Sequence, residues 1–181
     1  VLAYSTMSQL AYIFTGLGCA MFLANTLDWH NDDGAHYIVI VAFGAALFHL
    51  FNHAMAKGML FMASGSVIHE VHHAHHHLHH HDHHDDEHHG HDDHHDDEFD
   101  AQSMENMGGL ASKMPLTATA MLVGSASIMG LPFIGGFWSK EGIIANAWKV
   151  ALKEPVFLFP AMLVLIGAGM TGFYMSRMWF M

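Results

Sequence analysis

The sequence predicts an all-α polytopic membrane protein, a bundle of transmembrane helices in which one helix is broken. Apolar residues make up 52% of the 181 residues, including 15 Met and 13 Phe, which is more than most soluble domains contain. They form long apolar runs separated by polar turns. Because about twenty apolar residues span the hydrocarbon layer of a bilayer, we expect the lipid bilayer to surround this chain.

The net negative charge of the chain comes from one segment. The formal net charge is −11, but residues 69–100 contain 16 of the 20 His and 11 of the 17 acidic residues. The remainder contains six acidic residues and six Lys and Arg, so the overall acidity does not identify the partners of the apolar body. We expect no nucleic-acid partner. With one cysteine, Cys19, and no Gly-rich phosphate loop, the sequence predicts no cofactor in this chain.

Residues 1–70 are predicted to form transmembrane helices 1 and 2. In the first run Tyr4, Ser8 and Tyr12 recur every four residues, which gathers them on one side for packing against other helices. The second run, 36–70, would be roughly 50 Å long as a helix, against a hydrocarbon layer of roughly 30 Å. It must tilt, project into water or kink, and Gly44 is a candidate for a kink.

Residues 71–103 are predicted to be a disordered aqueous loop, because His and Asp dominate them and little could be buried. Its imidazoles could bind metal ions, but the spacing fixes no geometry, which favours a solvated insertion with adventitious binding. The stretch 69–73 matches the zinc-protease pattern H-E-x-x-H, a match that is nearly unavoidable where half the residues are His. The candidate positions for adventitious metal binding are His75, His76, His79 and His80.

Residues 104–181 are predicted to form helices 3 and 4. Pro115 suits the first turn of helix 3, whose apolar pattern Pro132 and two glycines interrupt near 132–136. We expect this helix to be one discontinuous transmembrane span. Such a break places polar groups near the middle of the membrane. Helix 4 follows over 156–180. Since the chain opens at Val1 without an initiator Met and ends without a polar tail, we expect it to be a piece of a larger protein.

Five ionisable residues are candidates for proton transfer. His49, His53 and Lys57 are spaced by four within an apolar helix, so they project from one side over about 12 Å. Lys140 and Glu141 follow the predicted helix break. A lysine in the membrane interior is costly and usually lines an ion or proton path. The alternative for the histidines is that they only hydrogen-bond neighbouring helices.

Three stretches resemble chain L of NADH-quinone oxidoreductase and its relatives in Mrp-type antiporters and archaeal F420H2 dehydrogenases. They are VLAYSTMSQL, ALFHLFNHAMAKGMLFMASGSVI and NMGGLASKMPLTA through GLPFIGGFWSKEGI. The resemblance implies that His49, His53 and Lys57 lie on a central hydrophilic axis, and that Lys140 is the lysine of the broken helix with Glu141 on the acidic position after it. It also implies a longer protein with two inverted repeats, of which this chain holds part of the second. Members of this family usually have a short linker where this chain has the His/Asp-rich segment.

These observations predict proton translocation by an antiporter-like subunit of a respiratory NADH-quinone or F420H2 oxidoreductase. Its partners would be other membrane subunits of the complex, which carry the redox chemistry, and its location a prokaryotic cytoplasmic membrane. One alternative is a subunit of a Mrp-type Na⁺/H⁺ antiporter, which uses the same residues without electron transfer. Another is a metal transporter with a His-rich loop, although the spans offer lysines, which repel cations, rather than facing Asp or His pairs.

Overall fold

The computed structural model describes residues 2–27, 31–81 and 109–180, with residues 75–81 described by their backbone alone. Five α-helices are present in these ranges: α1 (Leu2–Thr26), α2 (Asp33–His81), α3 (Pro115–Met129), α4 (Gly135–Lys153) and α5 (Leu158–Phe180). Short 3-10 turns, Leu110–Ser112 and Pro155–Phe157, precede α3 and α5. The predicted all-α bundle is confirmed.

In the described ranges three helical segments are long and apolar enough to cross a membrane. They are Leu2–Thr26, Asp33–Ala74 and Pro155–Phe180, while Pro115–Met129 is a shorter apolar helix. α2 lies at the centre and packs against α1, α3 and α4, and α5 contacts α1, α3 and α4 on the other side. The bundle therefore surrounds the face of α2 that carries the two histidines and Lys57.

α2 is longer than the sequence predicts. It contains 49 residues, which corresponds to about 73 Å of helix, and it continues through Gly44 without interruption. Helix also covers residues 71–81, which we predicted to begin the aqueous loop. Backbone hydrogen bonds within a helix are local and need no hydrophobic partner, so the polar tract can continue the helix beyond its apolar part. The rest of the predicted loop, 82–103, lies outside the described residues.

A break separates α3 from α4, slightly before the predicted position. The intervening residues are 130–134, with Gly130 in the left-handed region at φ 82° and Phe133 at φ 77°. Gly130 closes α3, because its N–H donates to the carbonyls of Ala126 and Ser127. A left-handed phenylalanine is uncommon, and here its side chain is 96% exposed. α4 starts at Gly135 and ends at Lys153.

Small residues let the helices approach closely at the break. A Cβ on Gly136 would lie 1.8 Å from the carbonyl oxygen of Ser127, and one on Gly16 would lie 3.1 Å from the Cβ of Ala46. Only glycine fits at Gly136, because the start of α4 lies directly against the end of α3. This contact positions α4 so that its inner face meets α2.

Candidate functional site

Four of the five predicted residues are buried in the bundle interior. The exposed fractions are 3% for His49, 7% for His53, 6% for Lys57 and 4% for Lys140. The three residues of α2 lie on one face, as their spacing predicts, and the first turns of α4 bring Lys140 towards the same interior. The structure therefore places two lysines and two histidines away from the outer surface of the bundle.

Glu141 is the exception among the predicted site residues. Its side chain is exposed on the outer face of α4, and the structure does not bring it to the four buried groups. Consecutive residues of a helix point about 100° apart, so a helix that directs Lys140 inwards directs Glu141 away. The part of Glu141 in the same relay stays a prediction, and its exposed side chain does not support it.

Lys140 uses the end of the broken helix. Its Nζ donates to the carbonyl oxygen of Ile128 at 2.5 Å and lies 5.3 Å from the ring centroid of Tyr12. The last four carbonyls of a helix have no partner within the helix, and the helix dipole makes this end favourable for a cation. The break therefore supplies an acceptor for a buried ammonium group.

Lys57 reaches an acceptor on a different helix. Its Nζ donates to the carbonyl oxygen of Leu2 at the start of α1, and it lies 5.8 Å from the centroid of the Phe61 ring. Within residues 2–27, 31–81 and 109–180, no carboxylate oxygen lies within 4 Å of either lysine. Both ammonium groups are thus held by neutral oxygens and aromatic faces.

The two histidines differ in how they are bound. His49 uses both ring nitrogens: Nδ1 lies 2.9 Å from Oγ of Ser139, and Nε2 lies 3.1 Å from Oε1 of Gln9. His53 stacks 6.4 Å from the ring of His49, and its Nε2 is buried without a hydrogen-bond partner in the described structure. A buried polar atom without a partner is costly, so Nε2 of His53 is a place where a water molecule would bind.

A small cavity is lined in part by His53. Its volume is about 10 Å³, close to the minimum that holds one water molecule. The cavity connects the histidine face of α2 with both sides of the helix break. It is lined by Gln9, His49, Asn52, His53, Ser127, Ile128 and Gly136.

Several polar residues of the site were missed by the sequence reasoning. Gln9, Ser139 and Thr171 are fully buried and connect His49 to three helices, while Tyr4 of the predicted α1 stripe is 80% exposed. The inner side of α1 carries Gln9 and Tyr12, whose hydroxyl donates to the carbonyl of Val164 at 2.9 Å. A glutamine within an apolar span was the available signal, because a buried amide requires partners.

Metal binding finds no support where side chains are described. Among those residues, no group of three or more His, Cys, Asp and Glu could hold a metal ion. In the H-E-x-x-H stretch, His69 and Glu70 form an exposed pair with a separation of 3.8 Å. The side chains of His75, His76, His79 and His80 lie outside the described part of the chain.

Comparison with known proteins identifies the family of this chain. Residues 35–171 match the transmembrane family of NADH:quinone oxidoreductases and Mrp antiporters. The chain belongs to this family. The match includes all four buried ionisable residues and both halves of the broken helix.

Individual relatives extend the similarity to nearly the whole chain. It is 36% identical over 179 residues to the chloroplast NAD(P)H-quinone oxidoreductase subunit 5 of Zygnema circumcarinatum, covering 99% of this chain and 19% of the relative. It is 38% identical over 180 residues to NAD(P)H-quinone oxidoreductase chain 5 of Synechocystis sp., covering 99% and 20%. The chain therefore spans about a fifth of the length of the curated relatives it matches.

Proposed function

We propose that this chain forms part of the proton path in an antiporter-like membrane subunit of an NAD(P)H-quinone oxidoreductase of the complex I type. The observation that carries the proposal is the burial of Lys57 and Lys140 in the same interior as His49 and His53. Among the described residues, no carboxylate oxygen lies within 4 Å of either lysine. Groups with this chemistry inside a membrane bundle are typical of proton relays. The names of the relatives support the same assignment.

Each lysine can work as a proton carrier because two influences on it oppose each other. Burial in a bundle favours the neutral amine, whereas the carbonyl of Ile128 or Leu2 favours the charged ammonium. A modest change in the surrounding charge can then shift the balance between the two forms. Protons would move between Lys140, His49, His53 and Lys57, with water in the small cavity bridging gaps.

The redox reaction belongs, in this proposal, to other subunits, and this chain carries no redox centre or cofactor of its own. Its partners are neighbouring membrane subunits and the rest of the full-length protein. Its location is an energy-transducing membrane, for which we propose the cytoplasmic membrane of a prokaryote. Glu141 is left out of the proposed interior path, because its side chain is exposed on the outer face of α4.

The decisive experiment replaces Lys140 with Ala or Met in the full-length protein within its complex. Lys149 is exposed on the same helix, so Lys149→Ala is the matched control. We expect quinone-linked proton pumping into vesicles to fall by at least about tenfold in both Lys140 variants, the scale of losing a positioned proton-transfer group. Assembly of the complex and the Lys149→Ala control should remain normal.

Two results would contradict the assignment. Wild-type pumping by an assembled Lys140→Met complex would remove this residue from the path. Sodium-dependent transport by the full-length protein in vesicles without an electron donor would instead favour a Mrp-type Na⁺/H⁺ antiporter, which the family also contains.

A further inference from the structure

His49 is held at both ring nitrogens by uncharged side chains from different helices. Gln9 of α1 lies at Nε2, at 3.1 Å, and Ser139 of α4 lies at Nδ1, at 2.9 Å. A neutral imidazole has one donor nitrogen and one acceptor nitrogen, and the partners decide which is which. The tautomer of His49 therefore depends on whether Gln9 and Ser139 donate or accept at these two nitrogens.

The direction of the Gln9 amide is set by Thr171. The hydroxyl of Thr171 donates to the carbonyl of Gly167 at 2.8 Å, so its oxygen is left to accept. It accepts from Nε2 of Gln9 at 3.2 Å, which turns the amide oxygen towards His49. Gln9 and Thr171 are both completely buried, so solvent does not compete for these bonds. An amide oxygen only accepts, and Nε2 of His49 must donate to it.

The partner at Nδ1 behaves differently, because a hydroxyl can reverse its role. Ser139 lies 3.1 Å from the carbonyl of Gly136, to which its hydroxyl can donate. When His49 is neutral, Ser139 donates to Nδ1. When His49 is protonated, Nδ1 donates to Ser139 and the hydroxyl hydrogen turns to Gly136. Both charge states are satisfied without displacement of a heavy atom.

We propose that Gln9 and Thr171 are positioning residues that keep a proton on Nε2 of His49, so that His49 gains and loses protons only at Nδ1, beside Ser139. This inference rests on the proposed function in treating His49 as part of a proton path. Uptake forms one N–H bond at Nδ1 and breaks one O–H bond of a hydronium ion, and release returns the proton to water. His49 would then receive and release each proton of the path at the same nitrogen, next to the helix break.

The groups around His49 are consistent with exchange at a single nitrogen. α1 contributes the Tyr12 ring, 5.8 Å from His49, and α2 contributes His53 at 6.4 Å. α4 contributes Lys140, whose Nζ lies 5.3 Å from the same Tyr12 ring. α5 contributes Thr171, which is uncharged. Nε2 of His49 is hydrogen-bonded to Gln9 and to none of these titratable groups.

The test uses the full-length protein, labelled with ¹⁵N-histidine and reconstituted in lipid, and nitrogen NMR at alkaline pH. The His49 signals are identified by their absence in His49→Gln. In the wild type we expect a single neutral tautomer with the proton on Nε2. Thr171→Val removes the hydroxyl at nearly constant shape, and the Nδ1–H tautomer should increase by about fivefold, the weight of one neutral hydrogen bond. Thr171→Ser keeps the hydroxyl and should match the wild type.

The wild-type spectrum is decisive even if Thr171→Val fails to fold. A dominant Nδ1–H tautomer, or an even mixture, would overturn the inference, as would equal spectra for the Val and Ser variants. A different experiment, the pumping assay, tests the proposed function. Normal pumping by an assembled Lys140→Met complex would contradict that function while leaving the predicted tautomer testable and intact.

Discussion

The continuous helix α2 and the broken pair α3–α4 each place a lysine in the interior. The hydrogen-bond acceptor of that lysine comes from a different source in each case. In α2 the backbone carbonyls around Lys57 are engaged within the helix, and the ammonium group reaches across to Leu2 of α1. At the break, the end of α3 offers the carbonyl of Ile128 to Lys140 directly. A continuous helix therefore needs a neighbour to hold its charge, whereas a broken helix supplies its own acceptor.

The largest expected effect comes from closing the space at the break. In Gly136→Ala the new Cβ would lie 1.8 Å from the carbonyl oxygen of Ser127, so α3 and α4 must separate. We expect the free energy of unfolding to fall by more than about 3 kcal/mol, and little folded protein to accumulate. The measurement is the thermal midpoint and yield of the full-length protein in detergent.

Gly44→Ala on α2 is the matched control for this substitution. No atom lies within 4 Å of a Cβ at Gly44, and alanine favours a helix by about 1 kcal/mol, so stability should stay equal or rise slightly. An unchanged midpoint for Gly136→Ala would contradict the close contact between the start of α4 and the end of α3.

A second prediction tests whether the lysine of the continuous helix must lose its proton. Lys57→Arg preserves the charge, but a guanidinium group does not deprotonate in proteins. We expect coupled pumping to fall by at least about tenfold, as for removal of a proton-transfer group. Lys113 is exposed before α3, and Lys113→Arg should pump normally. Normal pumping by Lys57→Arg would mean that α2 needs only a fixed charge at this position.

The smallest effect concerns the link between the two regions. Asn52 of α2 donates to the carbonyl of Gly135 at the start of α4, at 3.3 Å. Asn52→Leu should lower the free energy of unfolding by about 1 kcal/mol, the net contribution of one such bond. Asn25→Leu, at an exposed position of α1, is the control. If chemical denaturation shows no difference between the two variants, Asn52 does not couple α2 to the break.

The features that sequence predicted correctly are those fixed by local chemistry. Pro115 begins α3, as proline suits a first turn, and glycines mark the break within a few residues. The four-residue spacing of His49, His53 and Lys57 survives as a shared face, because helix geometry alone sets it.

The features that could not be predicted from the sequence depend on how the helices are rotated about their axes relative to each other. α1 is apolar almost all round, so its periodicity does not show that Gln9 faces inwards while Tyr4 faces out. The contacts among Gln9, His49 and Thr171 join residues far apart in the chain, and no spacing rule reports them. The C-terminal limit of α2 was also missed, since a polar helix end carries no hydrophobic signal.

The short length of α3 has a consequence for biogenesis. Its 15 residues rise only about 22 Å, less than the roughly 30 Å of the hydrocarbon layer, and α4 carries Lys140 and Glu141 near its start. Neither half would partition into lipid as readily as α1, α2 or α5. Insertion of the interrupted segment would therefore depend on its contacts with the other helices.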